Sequence, residues 1–171
     1  LIRANYSTSH GYRFNEADAE AYCEDNYFGY KEGSYWAKGA AMAIYGFALC
    51  SRYSRYAPKT DFGMALKLLD RFIDSCSDSL PVWDFDCPEK AVDTQAAAIA
   101  LCAVHEIQKH TNSSKINEFE KLLSSKLIEY VDTNVAIDGI LKGQNGKNEY
   151  DIVGDYFIAE ALLGNKADIW F

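Results

Sequence analysis

Ser34–Cys50 reads SYWAKGAAMAIYGFALC, and the fold turns on how this stretch is understood. It has the length and spacing of a helix, yet Lys38 is its only charged residue. A helix that is apolar on most faces belongs inside a structure rather than on its surface. Its polar and aromatic groups, Tyr35, Trp36 and Lys38, gather at one end. The stretch therefore predicts an inner helix whose first turn reaches a surface.

Two more stretches, Asp93–Ile107 and Asp151–Leu163, share this character, and two others alternate with them. In Asp61–Cys76 the apolar set is Phe62, Ala65, Leu66, Leu69, Phe72 and Ile73. In Lys115–Val131 it is Ile116, Phe119, Leu122, Leu123, Leu127 and Tyr130. Both follow the i, i+3, i+4, i+7 spacing of a helix with one face on a core. With Trp36–Ser51 as the first helix, the order is buried, surface, buried, surface, buried. Thr60, Ser113 and Asp151 stand where caps are needed, and Asp93 reads as an N-cap. A weaker helix is expected over Glu16–Glu24 and a short extended piece at Val82–Phe85. The expectation is an all-α fold of stacked helical hairpins, an inner layer covered by an outer one, with a closed toroid as the leading architecture. A short up-down bundle is the alternative, but its helices would all be amphipathic in the same way.

The 171 residues are 49% hydrophobic and 14% aromatic, enough for one domain with a substantial core and too apolar for a disordered chain. A net charge of -8 argues against nucleic acid as a partner, because phosphate binding needs clustered cations. No apolar run reaches the roughly 20 residues that cross a bilayer, so no membrane partner is expected. Five cysteines, at 23, 50, 76, 87 and 102, form no CxxC pair and no zinc spacing. With Cys50 and Cys102 inside apolar helices, they read as reduced, buried thiols of a cytoplasmic protein. The chain opens on Leu1 with no signal segment, and is expected to be part of something longer.

The connections after the two surface helices are long, and carry Trp83, Asp84, Asp86, Gly139, Gly143 and Gly146. Loops on one rim of a rigid scaffold are where working residues gather. No nucleophile elbow, phosphate loop or metal-ligand set is present, so neither metal nor cofactor is expected. His105 and His110 read as helix-end histidines favoured by the dipole, whereas His10, in YSTSHGYRF, reads equally as an ordinary loop residue or a functional one. Asp84 and Asp86 could do acid–base work, or could bond their own backbone before Cys87-Pro88. Asp155, in a buried helix, must be paired, hydrogen-bonded or facing a wet cavity. Trp36 and Lys38 could stack on a sugar and hold a carboxylate, or simply anchor a helix end.

These segments together resemble the unsaturated glucuronyl hydrolases, family 88 of the glycoside hydrolases. GYKEGSYWAKGAAMAIYGFALCSRYS is similar to the family stretch of glycine-tyrosine, serine-x-tryptophan-alanine-arginine-glycine and YGF. PVWDFDCPEKAVDTQAAAIA resembles its WDFD–P turn, which precedes an aspartate and an alanine-rich helix, and GDYFIAEALL its closing GDYYFLEALL. STSHGYRF looks like the strand-like segment that carries a family histidine. The likeness runs from about Arg3 to Leu163.

The resemblance implies an (α/α)6 barrel, of which this chain, as a single domain over residues 1–171, would be the C-terminal half. It implies as partner an oligosaccharide whose nonreducing end is a 4,5-unsaturated uronic acid. In that chemistry an aspartic acid protonates the vinyl ether, water adds at the adjacent carbon, and the hemiketal opens to release the next sugar, with no metal or organic cofactor. Both key aspartates of the family lie upstream of the histidine that His10 matches, and only nine residues precede His10. No catalytic residue is therefore assigned here. The chain is expected to be inactive alone and to need its missing N-terminal half, another chain or self-association. The substrate-binding positions implied are His10 at the uronate or its water, Trp36 as a stacking surface, Lys38 in place of arginine, and Met42 in place of tryptophan. Phe28 and Ala40 stand where the family has glutamine, and the loop Lys142–Tyr150 lacks its histidine and proline. Two other readings are a degenerate, non-catalytic carbohydrate-binding or structural barrel, and an unsaturated rhamnogalacturonyl hydrolase.

Overall fold

The computed structural model describes residues 2–134, 136–143 and 149–164. A hairpin of β1 (Gly11–Phe14) and β2 (Ala21–Asp25) comes first. Among the described residues five helices follow: α1 (Ala37–Tyr53), α2 (Pro58–Cys76), α3 (Thr94–Gln108), α4 (Ser114–Leu127, extended by a 3-10 turn over Ile128–Tyr130) and α5 (Ile152–Leu163). These are the five long helices expected from the sequence.

The inner layer is α1, α3 and α5, with α3 in the middle; α2 covers α1 and α4 covers α3. Thirteen of the fifteen residues of α3 are buried, which makes it the centre of the core. Its alanines 96, 97, 98, 100 and 103 are fully buried, and such small side chains let neighbouring helices approach closely. Phe72 of α2 and Leu123 of α4 seal the layer from outside. The helices taken as buried on most faces differ here. Helix α1 buries Ala37, Ala40, Ala41, Ile44 and Ala48, while Met42, Gly46, Cys50 and Tyr53 form an open stripe. Ile152, Tyr156 and Leu163 do the same on α5. Each flanking helix has α3 on one side only, so its other side lies open.

Three local expectations change. Glu16–Glu24 is not a helix: side-chain acceptors Asn15 and Asp18 take the amides of Ala17 and Glu20, and Ala19 is left-handed. The chain turns there and returns as β2. Helix α2 starts at Pro58 rather than at a Thr60 cap, proline being well suited to a first turn that has no amide partner. Ser113 occupies the N-cap of α4 without a side-chain bond, whereas Asp93 and Asp151 cap α3 and α5 through the amides of Ala96 and Val153. The extended piece at Val82–Phe85 is real, forming isolated bridges with Trp36 and Val92.

All five cysteines are free; Cys76, Cys87 and Cys102 are buried but Cys50 is exposed, on the open stripe of α1. Among the described residues no helix is long and apolar enough to cross a membrane.

Candidate functional site

The starts of α1, α3 and α5 and the loops before them share one rim. Asp84 organises it. Its carboxylate is fully buried; Oδ2 accepts the Tyr30 amide at 2.9 Å and the Ser34 hydroxyl at 2.6 Å, and Oδ1 accepts the Asp86 amide at 3.0 Å. Asp86 in turn accepts the Tyr35 amide at 2.9 Å. Of the two sequence readings of this pair, the structure supports backbone bonding: both carboxylates fix the segment before α1 onto the WDFD turn. Asn26 completes the clamp, donating to the carbonyls of Lys31 and Ser34 and to the Ser34 hydroxyl.

This clamp sets Trp36 at the N-cap of α1 with its indole folded back over Gly39. His10, delivered by the segment leading into β1, meets the indole edge-on with ring centroids 5.3 Å apart. Phe28 lies 5.5 Å from Trp36 and 5.0 Å from His10, and Tyr27 stands against Phe28. His10 is exposed and Phe28 is 53% exposed, so the cluster is an open aromatic shelf rather than core. The hairpin that carries His10 is held by Arg3, whose guanidinium grips Glu24 of β2 at 2.6 Å. That contact holds the Glu24 carboxylate below its usual range.

Lys38, two residues on, goes elsewhere. Its ammonium donates to Gln95 Oε1 at the start of α3, beside a polar cavity of about 340 Å³. Asp93, Gly143, Glu149, Tyr150 and Asp151 complete that cavity's lining. Asp93 is 2% exposed; Oδ1 caps α3, and Oδ2 has no hydrogen-bond partner. Burial pushes its carboxyl above the usual range, against the opposing pull of the Ala96 and Gln95 amides and of Lys38. Tyr150 donates to Asp132 at 2.6 Å, which raises the phenol to about 12 and lowers the carboxylate. Asp155 is hydrogen-bonded, as a charge in that helix required: Oδ1 accepts the amides of Ile140 and Leu141, both at 2.8 Å. It thereby pins the α4–α5 loop beside the cavity. Residues 144–148 of the loop that lacks the family's histidine and proline lie outside the described residues.

The structure thus brings His10 and Trp36 together, places Lys38 in a separate polar cavity, and leaves Met42 one turn below Lys38 on the open stripe of α1. His105 stands in the last turn of α3, the helix-end position expected. It is buried there, Nε2 lies 3.7 Å from Glu120, and burial lowers its pKa, against the charged form that a dipole would favour. His110 is exposed and edges onto Phe62. Sequence reasoning missed Gln95 and the second oxygen of Asp93. A capping aspartate followed by a glutamine is common at helix starts, and only the packing of α1 and α5 against α3 places both residues in the lining of one cavity. Among the described residues no cluster of histidine, cysteine, aspartate or glutamate could hold a metal ion.

Comparison with known proteins is consistent with this arrangement. No family model matches the chain. An unsaturated glucuronyl hydrolase of Bacillus sp. (strain GL1) is 30% identical over 188 residues, covering 95% of this chain and 48% of the relative. An unsaturated chondroitin disaccharide hydrolase of Streptococcus pyogenes serotype M1 is 29% identical over 95% of this chain and 45% of its own length. The crystal structure of the Bacillus sp. GL1 protein superposes with a TM-score of 0.83 at 26% identity, over 99% of this chain and 49% of that one. A Streptococcus agalactiae unsaturated glucuronyl hydrolase variant, complexed with dGlcA-GalNAc6S, superposes at 0.77 with 25% identity, over 98% of this chain and 48% of that one. The chain spans about half the length of the relatives it matches.

Proposed function

We propose that the chain, similar over about half of their length to the unsaturated glucuronyl hydrolases, forms the sugar-holding side of such an enzyme. The substrate would be an oligosaccharide ending in a 4,5-unsaturated uronic acid. The observation that carries the reading is the open shelf of His10, Phe28 and Trp36 beside the Lys38 cavity. An indole face takes the apolar face of a pyranose, and a rim imidazole reaches a uronate oxygen or its water. Lys38 supplies one charged donor, without the bidentate grip an arginine would give a carboxylate.

Hydration of the vinyl ether needs a carboxylic acid free to give a proton to the alkene carbon. Asp84 and Asp86 are committed to backbone amides, and Asp93 caps α3 through one oxygen and buries the other. Following the family pattern, in which both key aspartates lie upstream of the His10 position, the proton donor is assigned to residues outside this chain. The open stripes of α1 and α5, with Met42 41% and Ile152 80% exposed, fit covering by further helical hairpins, from the same polypeptide or a second one.

The test is a titration with an unsaturated chondroitin disaccharide, following tryptophan fluorescence for binding and absorbance of the conjugated alkene for turnover. The expected result is binding without loss of the alkene. Turnover by this chain alone would contradict the assignment of the acid, and absence of binding would sink the carbohydrate reading. A non-catalytic sugar-binding barrel is favoured by one observation: Phe28 lends the shelf a bare ring where the family pattern has an amide. It is distinguished by adding the complementary half-barrel of a relative, which restores turnover only in the enzyme reading.

A further inference from the structure

Glu160 lies in α5 and is only 8% exposed, so its carboxylate has to be held by hydrogen bonds. The Tyr45 hydroxyl of α1 supplies one, donating to Oε1. The Tyr45 ring also meets Phe157 of α5 edge-on, with centroids 6.1 Å apart. From α3, Cys102 Sγ donates to the Phe157 carbonyl at 3.3 Å. The three inner helices therefore meet at one point, and Tyr45 reaches past α3 to get there. Burial and the bond to Glu160 raise the Tyr45 phenol, so it stays protonated and able to donate. A buried carboxylate adds little stability over an apolar pair of the same volume, because desolvation offsets its bonds. What it adds is geometry: an apolar contact slides, whereas a hydrogen bond fixes a distance.

We propose that the Tyr45–Glu160 bond is a brace that sets the spacing of α1 and α5, and through it the width of the Lys38 cavity, so that both are positioning residues for the ligand. This rests on the carbohydrate reading above. The cavity takes Lys38 from α1, Asp93 and Gln95 from the start of α3, and Tyr150 and Asp151 from the entry to α5. Part of its lining thus belongs to two helices that pack on either side of α3. Lys38 stands about two turns before Tyr45, and Asp151 about two and a half turns before Glu160. The brace therefore lies at a similar depth below both. Helices are stiff over that length, so a change of spacing at the brace is carried to the rim. A shift of about 1 Å between Lys38 and Asp151 is enough to lose a hydrogen bond to a ligand held from both sides. By linkage, such a ligand favours the braced spacing in return.

The test combines helix spacing with titration of the unsaturated chondroitin disaccharide into this chain. Tyr45→Phe removes the donor and keeps the ring against Phe157. Glu160→Leu removes the acceptor, whereas Glu160→Gln keeps a carbonyl oxygen for Tyr45. Spin labels on Cys50 of α1 and on Leu163→Cys of α5, both exposed positions, read the spacing in a Cys23→Ser background. Y45F and E160L should each broaden the distance distribution and weaken binding about tenfold. Their combination should do no more than either alone, because one interaction is lost in all three. E160Q should bind within about threefold of the parent. Ile99→Val, a fully buried change in α3 that lowers stability and leaves the brace in place, should alter neither spacing nor affinity. An unchanged distribution in Y45F, or binding weakened as much by I99V as by Y45F, would overturn the brace and leave the carbohydrate reading intact. A parent chain that binds no disaccharide would overturn both the carbohydrate reading and the role in positioning ligand. Should E160L not fold, Y45F compared with E160Q decides the question.

Discussion

A methyl group placed on Gly39 would lie 2.6 Å from Cε3 of Trp36, so the bare α-carbon of one is the bed on which the indole of the other rests. Alanine is worth about 1 kcal/mol more than glycine in a helix interior, so Gly39→Ala should cost the fold little. It should instead lift the indole from its place against His10. The expected result is a melting temperature within a few degrees of the parent, with disaccharide binding weakened about tenfold. Unchanged binding would show that the shelf is not where the sugar sits.

Asp84→Asn keeps size and shape but turns one acceptor into a donor, facing either the Tyr30 amide and Ser34 hydroxyl together or, flipped, the Asp86 amide. Buried, it cannot turn to water. A loss of about 2–4 kcal/mol in urea unfolding is expected, since unsatisfied buried partners of a charged group are costly. A loss below about 0.5 kcal/mol would contradict its role as the clamp of the rim.

His105 titrates lower in the fold than in the unfolded chain, because burial disfavours the imidazolium. The folded state then binds fewer protons than the unfolded one. Its contribution is fully present above the unfolded value of about 6.5 and is lost as pH falls from there through the lower folded value. Relative to His105→Leu, the parent should lose stability as the solution is acidified through that window. Parallel stability curves for the two proteins would show that Glu120 and the helix end compensate the charge fully.

Neighbouring residues of α1 should respond in opposite ways. Ala41 is fully buried and Met42 is 41% exposed. Ala41→Glu should destabilise by about 4 kcal/mol or more, a buried charge without a partner. Met42→Glu should change the stability of this chain by no more than about 0.5 kcal/mol, while weakening its association with a complementary half-barrel measured by sedimentation. Equal effects at both positions would mean that the open stripe of α1 is covered within the chain.

The helices were legible because each has a period long enough to read: Ile116, Phe119, Leu123 and Leu127 mark the buried face of α4 as plainly as the alanines mark α3. The hairpin was not, because Glu16–Glu24 has helix-forming residues whose amides are claimed by Asn15 and Asp18, a competition that a count of propensities overlooks. Cys50 misled for another reason. An apolar neighbourhood in sequence predicts burial only if something packs on that face, and on α1 nothing among the described residues does. His10 and Trp36 were paired through the family pattern, and their rings do meet, but no local period joins two residues that far apart. The cavity that Asp93 and Gln95 line could not be seen at all, because a capping aspartate looks the same in sequence whatever packs beside it.

The clamp at Asp84 spans the chain rather than a loop, with bonds to Tyr30 and Tyr35 through Asp84 and Asp86 closing separations of 54 and 51 residues. Contacts of that range form late in folding, after the entropy of closing the intervening chain has been overcome. The rim should accordingly assemble only once α1 and α2 have docked, and should open as one unit when it opens at all. In hydrogen exchange the amides of Tyr30, Tyr35 and Asp86 would then share one opening rate, distinct from that of the α3 core.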